Sequence, residues 1–244
     1  MYIDTHCHYD MFKNPEEVIR SCENQKIITI GMTNLPSYFE MGIKHISEFK
    51  YVRLALGLHP LLAERHSTEL VKFKNNIDKT SYIGEVGLDF SQEGISTKEL
   101  QIKSFEYVLK TIIGKKKILS IHSRRAEKEV LELLKKYEIS TAIFHWYSGS
   151  ITILKLIIEN GYYFSINTSM IKSTAGQKII SCIPLNLLLT ETDSPYITNN
   201  GIPTQPIDVK EVIKFLANSH HTSEQEMEKK ITDNFYELIN KIRL

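Results

Sequence analysis

Short runs of apolar and β-branched residues alternate along the chain with longer stretches of helical periodicity. The runs predict eight strands, over residues 2–6, 26–32, 52–57, 82–86, 118–122, 141–144, 162–166 and 186–190. Successive strand ends lie about 26 residues apart, which is enough for one strand, one helix and two loops. This alternation favours parallel βαβ units.

The helical stretches carry apolar residues at every third or fourth position, as in segment 98–113. Similar patterns predict helices over residues 126–137, 151–159, 209–218 and 222–242. Residues 14–17, Asn-Pro-Glu-Glu, predict a helix start with Asn as the N-cap. Thr222 and Gln225 occupy the two positions of a capping box at the start of the last helix.

Right-handed crossovers between eight parallel strands favour either a closed barrel or a doubly wound open sheet. No Gly-x-Gly-x-x-Gly motif follows the first strand, which argues against a dinucleotide-binding sheet. We therefore predict an α/β protein, a (β/α)8 barrel that forms a single domain over residues 1–244. The length of 244 residues and the 42% of hydrophobic residues suit one such barrel.

The charge balance argues against a large basic binding face. The chain has 30 Lys and Arg residues against 29 Asp and Glu residues, a net charge of +1, so no global field attracts nucleic acid or anionic membrane. The three widely spaced cysteines predict free thiols in a reducing compartment. With no signal-peptide pattern and no apolar run long enough to cross a membrane, we expect a soluble, cytoplasmic protein.

Histidines gather at the carboxyl ends of the predicted strands. Five of the nine histidines lie there, namely His6, His8, His59, His122 and His145. Barrel enzymes carry their catalytic residues on that rim, so we expect the functional site there. Because His6 and His8 are two positions apart in a strand, both imidazoles point to the same side.

Two acidic residues complete a candidate metal site. Glu85 interrupts the apolar strand 82–86, where a carboxylate is costly unless it is paired in a buried salt bridge or bound to metal. Asp193 follows the last strand. The full set is His6, His8, Glu85, His122, His145 and Asp193. Four imidazoles and two carboxylates suit two adjacent divalent cations, whose identity the ligands leave open among Mg, Mn and Zn.

Other residues on the rim have two interpretations each. His59 either ligates metal or binds substrate, or else it shapes its loop. Arg124 either binds a phosphate or a carboxylate in bidentate fashion, or it is an exposed residue without a role in the site. Trp146 and Tyr147 either stack on a base or pack in the core under the loop. Asp89 caps or braces the rim.

Six motifs resemble those of the TatD-type metal-dependent deoxyribonucleases, a family of the metal-dependent hydrolase superfamily, and they occur in the same order. They lie at residues 4–10, 57–60, 83–90, 121–124, 145–150 and 189–196. The resemblance implies a TIM-like barrel with two metals. It assigns one metal to His6, His8 and Asp193 and the other to His122 and His145, with Glu85 between them.

The chain departs from the family pattern in three places. Leu61 replaces the His that usually follows His-Pro, Trp146-Tyr147 replaces Cys-Phe, and residues 201–206 replace an Arg-Asn-x-Pro stretch. Because every metal position is retained, these departures concern substrate shape rather than catalysis. In these departures the chain resembles a branch of the family that occurs in Qat-type, multi-gene anti-phage defence systems. This resemblance implies protein partners.

The leading hypothesis is a metal-dependent DNase. In it Asp193 accepts the proton of the nucleophilic water and Glu85 holds the metals, while His59 and Arg124 bind the phosphate. The low net charge suits a single-stranded DNA end in the barrel mouth better than a duplex, so we expect an exonuclease. Two alternatives stay open: a hydrolase of another bond (amide, lactone or aminoacyl ester) and a metal-bearing subunit of a defence complex.

Overall fold

The computed structural model describes residues 1–243 and contains a ring of parallel strands. The strands are β1 Ile3–Cys7, β2 Ile28–Gly31, β3 Val52–Leu54, β4 Leu56–Leu58, β5 Tyr82–Gly87, β6 Ile118–His122, β7 Ala142–His145, β8 Tyr163–Ile166 and β9 Leu188–Thr190. Strands β1 to β3 pair in one sheet and β4 to β9 in another, each in chain order. Only Ala55 separates β3 from β4, so these two segments act as one barrel strand.

The last strand closes the barrel against the first through threonine hydroxyls rather than a regular ladder. The Thr5 hydroxyl donates to the Thr190 carbonyl at 3.0 Å, and the Thr190 hydroxyl donates to the Ile3 carbonyl at 2.5 Å. Just beyond this seam, the Asp193 amide donates to the His6 carbonyl at 2.9 Å. The predicted (β/α)8 barrel is confirmed, because the strands follow one another around a closed ring.

Helices cover the outside of the ring. They are α1 Pro15–Gln25, α2 Pro36–Ile46, α3 His66–Asn76, α4 Lys98–Ile112, α5 Glu127–Lys136, α6 Ile151–Glu159, α7 Thr168–Lys172, α8 Thr174–Ile180, α9 Val209–Ser219 and α10 Glu224–Asn240. A small hairpin of β10 Thr198–Asn199 and β11 Ile202–Pro203 lies between β9 and α9. Within residues 1–243, no helix has the length and apolar character that crossing a bilayer requires.

The predicted elements occur close to their predicted bounds, but two predicted helix caps differ in detail. Asn14 precedes α1 without capping it, because its side-chain amide donates to Glu17 Oε1 at 3.0 Å instead. The capping box of α10 lies one residue later than predicted. It uses Ser223 and Glu226, whose carboxylate accepts from the Ser223 amide at 3.0 Å.

Two glycines let β5 approach the neighbouring strand closely. At Gly84 a Cβ would lie 2.9 Å from the Ser120 Cβ, and at Gly87 it would lie 2.0 Å from the His122 carbonyl oxygen. Gly87 also has a φ of +139°, a conformation that other residues rarely adopt. These contacts hold the carboxyl end of β5, which carries Glu85, against the end of β6.

Hydrogen bonds from a buried side-chain amide hold the final helix against the barrel. Asn234 on α10 is fully buried, and its Nδ2 donates to the carbonyls of Leu185 at 2.7 Å and Leu188 at 2.8 Å. We expect Asn234→Ala to lower the free energy of unfolding by roughly 2 kcal/mol, because buried carbonyls lose their donor. Urea denaturation measures the change.

The matched control is Asn240→Ala, at the exposed end of the same helix, which should change the free energy of unfolding by less than about 0.5 kcal/mol. Equal effects of the two substitutions would contradict the anchoring role of Asn234.

Candidate metal centre

The six predicted ligands converge at the carboxyl end of the barrel. They come from β1 and the residue after it, from β5, β6 and β7, and from the segment after β9. Five of them are buried, and His122 is half-buried. Four of them, Glu85, His122, His145 and Asp193, line a cavity of about 510 Å³ that opens at the barrel mouth. The predicted site residues are thus brought together from positions as far apart in the chain as His6 and Asp193.

One part of the centre combines two imidazoles with a carboxylate. His6 Nε2 lies 3.2 Å from His8 Nε2, and the Asp193 Oδ1 atom lies 3.6 Å and 3.8 Å from these two nitrogens. The three ligand atoms all lie within 4.8 Å of one another. Two imidazoles and a carboxylate at such separations match the ligands that zinc and related cations use in catalytic sites.

The Glu85 carboxylate lies at the middle of the centre, and its two oxygens face different imidazoles. Oε1 lies 2.5 Å from His122 Nδ1 and 2.9 Å from His145 Nε2. Oε2 lies 3.2 Å from His8 Nε2 and 3.3 Å from His59 Nε2. A carboxylate in this position can contact cations on both of its sides.

His59 approaches Glu85 as closely as the predicted ligands do. Its Nε2 forms a compact set with Glu85 and His122, within the same 4.8 Å limit. The structure therefore places His59 where it could serve either as a ligand or as a substrate-binding residue, the two functional roles predicted for it. Arg124 differs, because it is exposed and its Nη1 lies 3.4 Å from Glu93 Oε2.

The imidazoles stabilise the ionised form of Glu85. Burial by itself would raise the pKa of this carboxyl group, but His59, His145 and His122 together hold the pKa well below its ordinary value. Glu85 is only 3% exposed. An anion that is buried this deeply requires positive charge beside it, which protonated imidazoles or a bound cation can supply.

Burial also shapes the protonation of the His6 and Asp193 groups. Desolvation, with His145 adding to it, lowers the pKa of His6 well below its usual value, so its imidazole is neutral at neutral pH. Burial raises the pKa of Asp193 to about 7, although His145 and His8 oppose the shift. A neutral imidazole offers the lone pair that a cation needs, and a cation in turn favours the ionised carboxylate. The donor set therefore fits divalent metal.

Polar groups behind the ring orient two of the imidazoles. His122 Nε2 hydrogen-bonds Asp89 Oδ2 at 2.7 Å, and His6 Nδ1 hydrogen-bonds Ser120 Oγ at 2.7 Å. Burial would raise the pKa of Asp89, but His122 and Ser91 lower it to about 2. Metal-binding histidines commonly pass their second N–H to such a partner, which fixes the ring and its tautomer. The bracing role predicted for Asp89 is thus exerted on His122.

Glu191 lies behind the centre and is not among the site residues that the sequence predicted. It is fully buried, and its Oε1 accepts from Asn167 Nδ2 at 2.8 Å and from the Trp146 amide at 3.1 Å. The same oxygen lies 3.7 Å from Nδ1 of His145. The position of Glu191 directly after the apolar strand β9 was the available signal. Glu191 is placed to position His145 from behind.

The aromatic residues of the rim divide into a core residue and two surface residues. Tyr147 is buried and donates to the Ser150 carbonyl at 2.8 Å, so it packs in the core. Trp146 is half-buried and lines the mouth cavity. Tyr196 is 54% exposed, lines the same cavity and stands edge-on to His8 with ring centres 5.1 Å apart.

Comparison with known proteins identifies the family. The family profile described as TatD related DNase matches residues 3–240. The chain belongs to the TatD family. It is 28% identical over 246 residues to an uncharacterised metal-dependent hydrolase of Methanocaldococcus jannaschii, a match that covers 96% of this chain and 94% of that one. It is 24% identical over 261 residues to human deoxyribonuclease TATDN3, covering 99% and 95%.

A solved structure gives the same result for the fold. The TatD homologue YjjV from Escherichia coli superimposes with a TM-score of 0.85 at 25% identity, and the match covers 98% of each chain. The resemblance to TatD enzymes inferred from the motifs is confirmed. The chain is therefore a member of a metal-dependent hydrolase family with the TIM-type barrel.

The position of Glu191 yields a prediction for metal binding. Glu191→Gln retains the shape of the side chain but loses the charge that faces His145, so we expect affinity for Zn²⁺ or Mn²⁺ to fall about tenfold or more. Isothermal titration with each metal measures this effect. Glu159→Gln, at the exposed end of α6, is the control and should bind metal like the wild type. Unchanged affinity in Glu191→Gln would contradict the positioning role.

His66 yields a prediction for the pH dependence of stability. This imidazole is 3% exposed, and its Nε2 donates to the His59 carbonyl at 3.0 Å. Burial lowers its pKa to about 4, while the contact with the carbonyl opposes the shift. The unfolded chain takes up this proton near pH 6.5. Between these values the unfolded state binds more protons, so stability falls as the pH falls from about 6.5 towards 4.

We expect the His66 imidazole to account for a loss of roughly 2–3 kcal/mol in the free energy of unfolding when the pH falls from about 6.5 to about 4. In His66→Gln the side-chain amide keeps the bond to the His59 carbonyl but does not titrate. Urea denaturation at a series of pH values should therefore show a shallower slope for the variant. Identical slopes for the two proteins would contradict the assignment.

Proposed function

We propose that the chain is a metal-dependent deoxyribonuclease that uses two divalent cations (Mg, Mn or Zn) to hydrolyse phosphodiester bonds at single-stranded DNA ends. The observation that carries the proposal is the Glu85 carboxylate, whose oxygens face separate groups of imidazoles at the barrel mouth. The description of a human relative as a deoxyribonuclease supports the choice of DNA.

The distances support a division of the ligands between two cations. His6, His8 and Asp193 would hold one cation, since their ligand atoms form a compact set. His122 and His145 would hold the other, because both nitrogens lie within 3 Å of the same Glu85 oxygen. Glu85 would bridge the two.

Bound divalent cations would supply Lewis acidity, which polarises a phosphate and lowers the pKa of water. The protein supplies the proton acceptor. The buried Asp193 carboxylate, whose Oδ1 lies within 4 Å of two ligand imidazoles, would take a proton from the attacking water. His59 and Arg124 both line the mouth cavity, from which they would hold the phosphate oxygens.

The charge of the mouth favours a single strand as substrate. Arg124 is the cationic side chain of the cavity lining, and Glu93 lies beside it. A duplex-binding face neutralises many phosphates, typically about 6–10 in well-studied proteins. A single strand needs fewer such contacts, because aromatic side chains such as Trp146 and Tyr196 can stack on its bases. The modest size of the mouth cavity, about 510 Å³, supports the proposal of action at a strand end.

The test is hydrolysis of 5′- and 3′-labelled oligonucleotides, single- and double-stranded, after chelation and after adding back each metal. We expect activity that chelation abolishes and that Mg²⁺, Mn²⁺ or Zn²⁺ restores. The label that is released first reports the polarity of digestion. Metal-restored cleavage of amide or lactone substrates without cleavage of DNA would overturn the proposal.

Asp193→Asn tests the role of the proton acceptor. Asn keeps the shape and one ligand oxygen but cannot take a proton, so we expect turnover at saturating metal to fall about 10²–10⁴-fold. Binding of a short oligonucleotide should change only a few-fold. The control is Asp233→Asn on the exposed face of α10. An unchanged rate at saturating metal would limit Asp193 to the role of a ligand.

A further inference from the structure

A second cavity, of about 720 Å³, opens at the opposite end of the barrel from the metal centre. Its lining includes Ile28 at the start of β2, Tyr82 at the start of β5 and Lys117 just before β6. These residues lie at the amino ends of their strands, whereas the metal ligands converge at the carboxyl end of the barrel. Side chains of α10, among them Tyr236, line the cavity as well. The cavity is therefore separate from the site proposed for hydrolysis.

Positive charge dominates the lining of this cavity. Within the described part of the chain, the lining contains five cationic side chains and one acidic side chain, namely Lys50, Arg53, Lys79, Lys117, Arg243 and Asp78. Asp78 is already paired, because its Oδ1 lies 2.7 Å from the Nζ of Lys115. In a chain whose net charge is only +1, so uneven a lining indicates a preference for an anionic ligand.

Three of these cations are exposed, so a ligand in the cavity can reach them. They are Lys50, Arg53 and Lys79, none of which forms an ion pair with another residue between 1 and 243. The Arg53 Nη1 donates to the carbonyls of Phe49 at 2.9 Å and of Val52 at 2.8 Å, and these bonds hold the guanidinium beside the cavity. Its Nε and Nη2 have no hydrogen-bond partner among the described residues, so both can donate to a ligand.

Lys117 adds a buried positive charge to the wall. It is 8% exposed, and its Nζ donates to the carbonyls of Ile77 and Thr80, at 2.6 Å each. Burial lowers the pKa of this ammonium group, and the charge of Asp78 opposes the shift. Carbonyl dipoles stabilise an ammonium ion less than a carboxylate does, so an anion in the cavity would stabilise Lys117 further.

Apolar and aromatic side chains also line the cavity, and they indicate what kind of anion fits. Ile28 and Ile43, both half-buried, contribute aliphatic surface. Tyr82 is half-buried, and Tyr236 is 39% exposed. Arginine and aromatic residues around an apolar centre are typical of protein–protein interfaces. A DNA strand offers phosphates and flat bases but no aliphatic chain for such a centre, so the lining favours a protein segment.

We propose that this cavity docks an acidic segment of a partner protein, which places carboxylates against Lys50, Arg53 and Lys79 and a large apolar side chain inside the cavity. Ile43 and Tyr236 would shield that side chain from water. A fatty acid would supply a single carboxylate for three exposed cations, so it matches the lining less well. The inference does not depend on the proposed nuclease function, because the cavity lies at the other end of the barrel.

Binding of synthetic peptides, measured by fluorescence anisotropy, tests the combination of charge and apolar surface. The probe is a fluorescein-labelled nonapeptide in which Leu and Phe alternate with Asp and Glu. One control peptide has Ser in place of Leu and Phe, and the other has Asn and Gln in place of the acids. We expect the probe to bind about tenfold more tightly than either control. Equal binding of the probe and either control, or no binding of the probe at about 1 mM, would overturn the proposal.

Charge reversal locates the binding surface. Lys50→Glu combined with Arg53→Glu should weaken binding of the probe peptide about tenfold or more, because two attractive charges become repulsive. The matched control combines Lys74→Glu with Lys103→Glu, at exposed residues of α3 and α4 that line neither cavity, and should bind like the wild type. Both double variants should bind Zn²⁺ like the wild type, which shows that the barrel is intact. Equal affinity of the two double variants for the probe would overturn the proposal.

Tyr236→Asp tests the apolar part of the surface. The residue is exposed enough to accept a carboxylate without unfolding α10, and we expect binding of the probe peptide to weaken about fivefold or more. Leu156→Asp, at a residue of α6 that is 42% exposed, is the matched control and should bind like the wild type. Identical affinities of these two variants would contradict the apolar contact.

Competition distinguishes the proposed partner from other anions. Neither an unlabelled oligothymidine nor oleate should displace the probe peptide from the wild-type protein. Displacement by the oligothymidine, together with loss of oligothymidine binding in the variant with Lys50→Glu and Arg53→Glu, would overturn the proposal in favour of a nucleic-acid surface. Displacement by oleate with the same dependence on these two residues would overturn it in favour of a lipid site.

Discussion

An ionised carboxylate inside the barrel is the constraint on which the rest of the site depends. Glu85 is nearly inaccessible to water, and an isolated charge there would cost several kcal/mol. Imidazoles on both of its oxygens make the position tenable, and they come from β1, β6, β7 and the loop after β4. The ring of parallel strands brings the ends of these elements around one point.

The seam that closes the ring is also part of the site. Asp4 is fully buried on β1, where it accepts from the His6 amide at 3.2 Å and from the Thr192 amide at 3.0 Å. It thereby ties the segment that carries His6 to the segment that carries Asp193. Burial raises the pKa of Asp4 well above its usual value, and the hydrogen bonds from Thr192 oppose this shift. Closure of the fold and spacing of the first ligand set thus depend on the same contacts.

The sequence predicted the strands and the ligands because both leave local signals. A His or Glu at the end of an apolar run is visible in one short segment, as at Glu85 and His145. Ser120, the partner behind His6, leaves no such signal. Ser120 reaches His6 across 114 positions, and that contact depends on which strands are neighbours and on their register. The cap of α10 was misplaced because Thr222 and Ser223 both suit the pattern, and only side-chain geometry selects Ser223.

Leu61 and Trp146, two of the residues at which the chain departs from the motifs it resembles, lie outside the candidate ligand set. A side chain binds a metal ion only when its ligand atom lies within a few tenths of an ångström of the required position, and the residues packed around it hold it there. Leu61 and Trp146 instead border the open cavity, where a change of side chain alters what can bind without disturbing Glu85. Leu61 presents an apolar side chain, 38% exposed, at that edge of the mouth. A substitution at Leu61 or Trp146 therefore acts on the mouth cavity, while the ligand atoms around Glu85 keep their spacing.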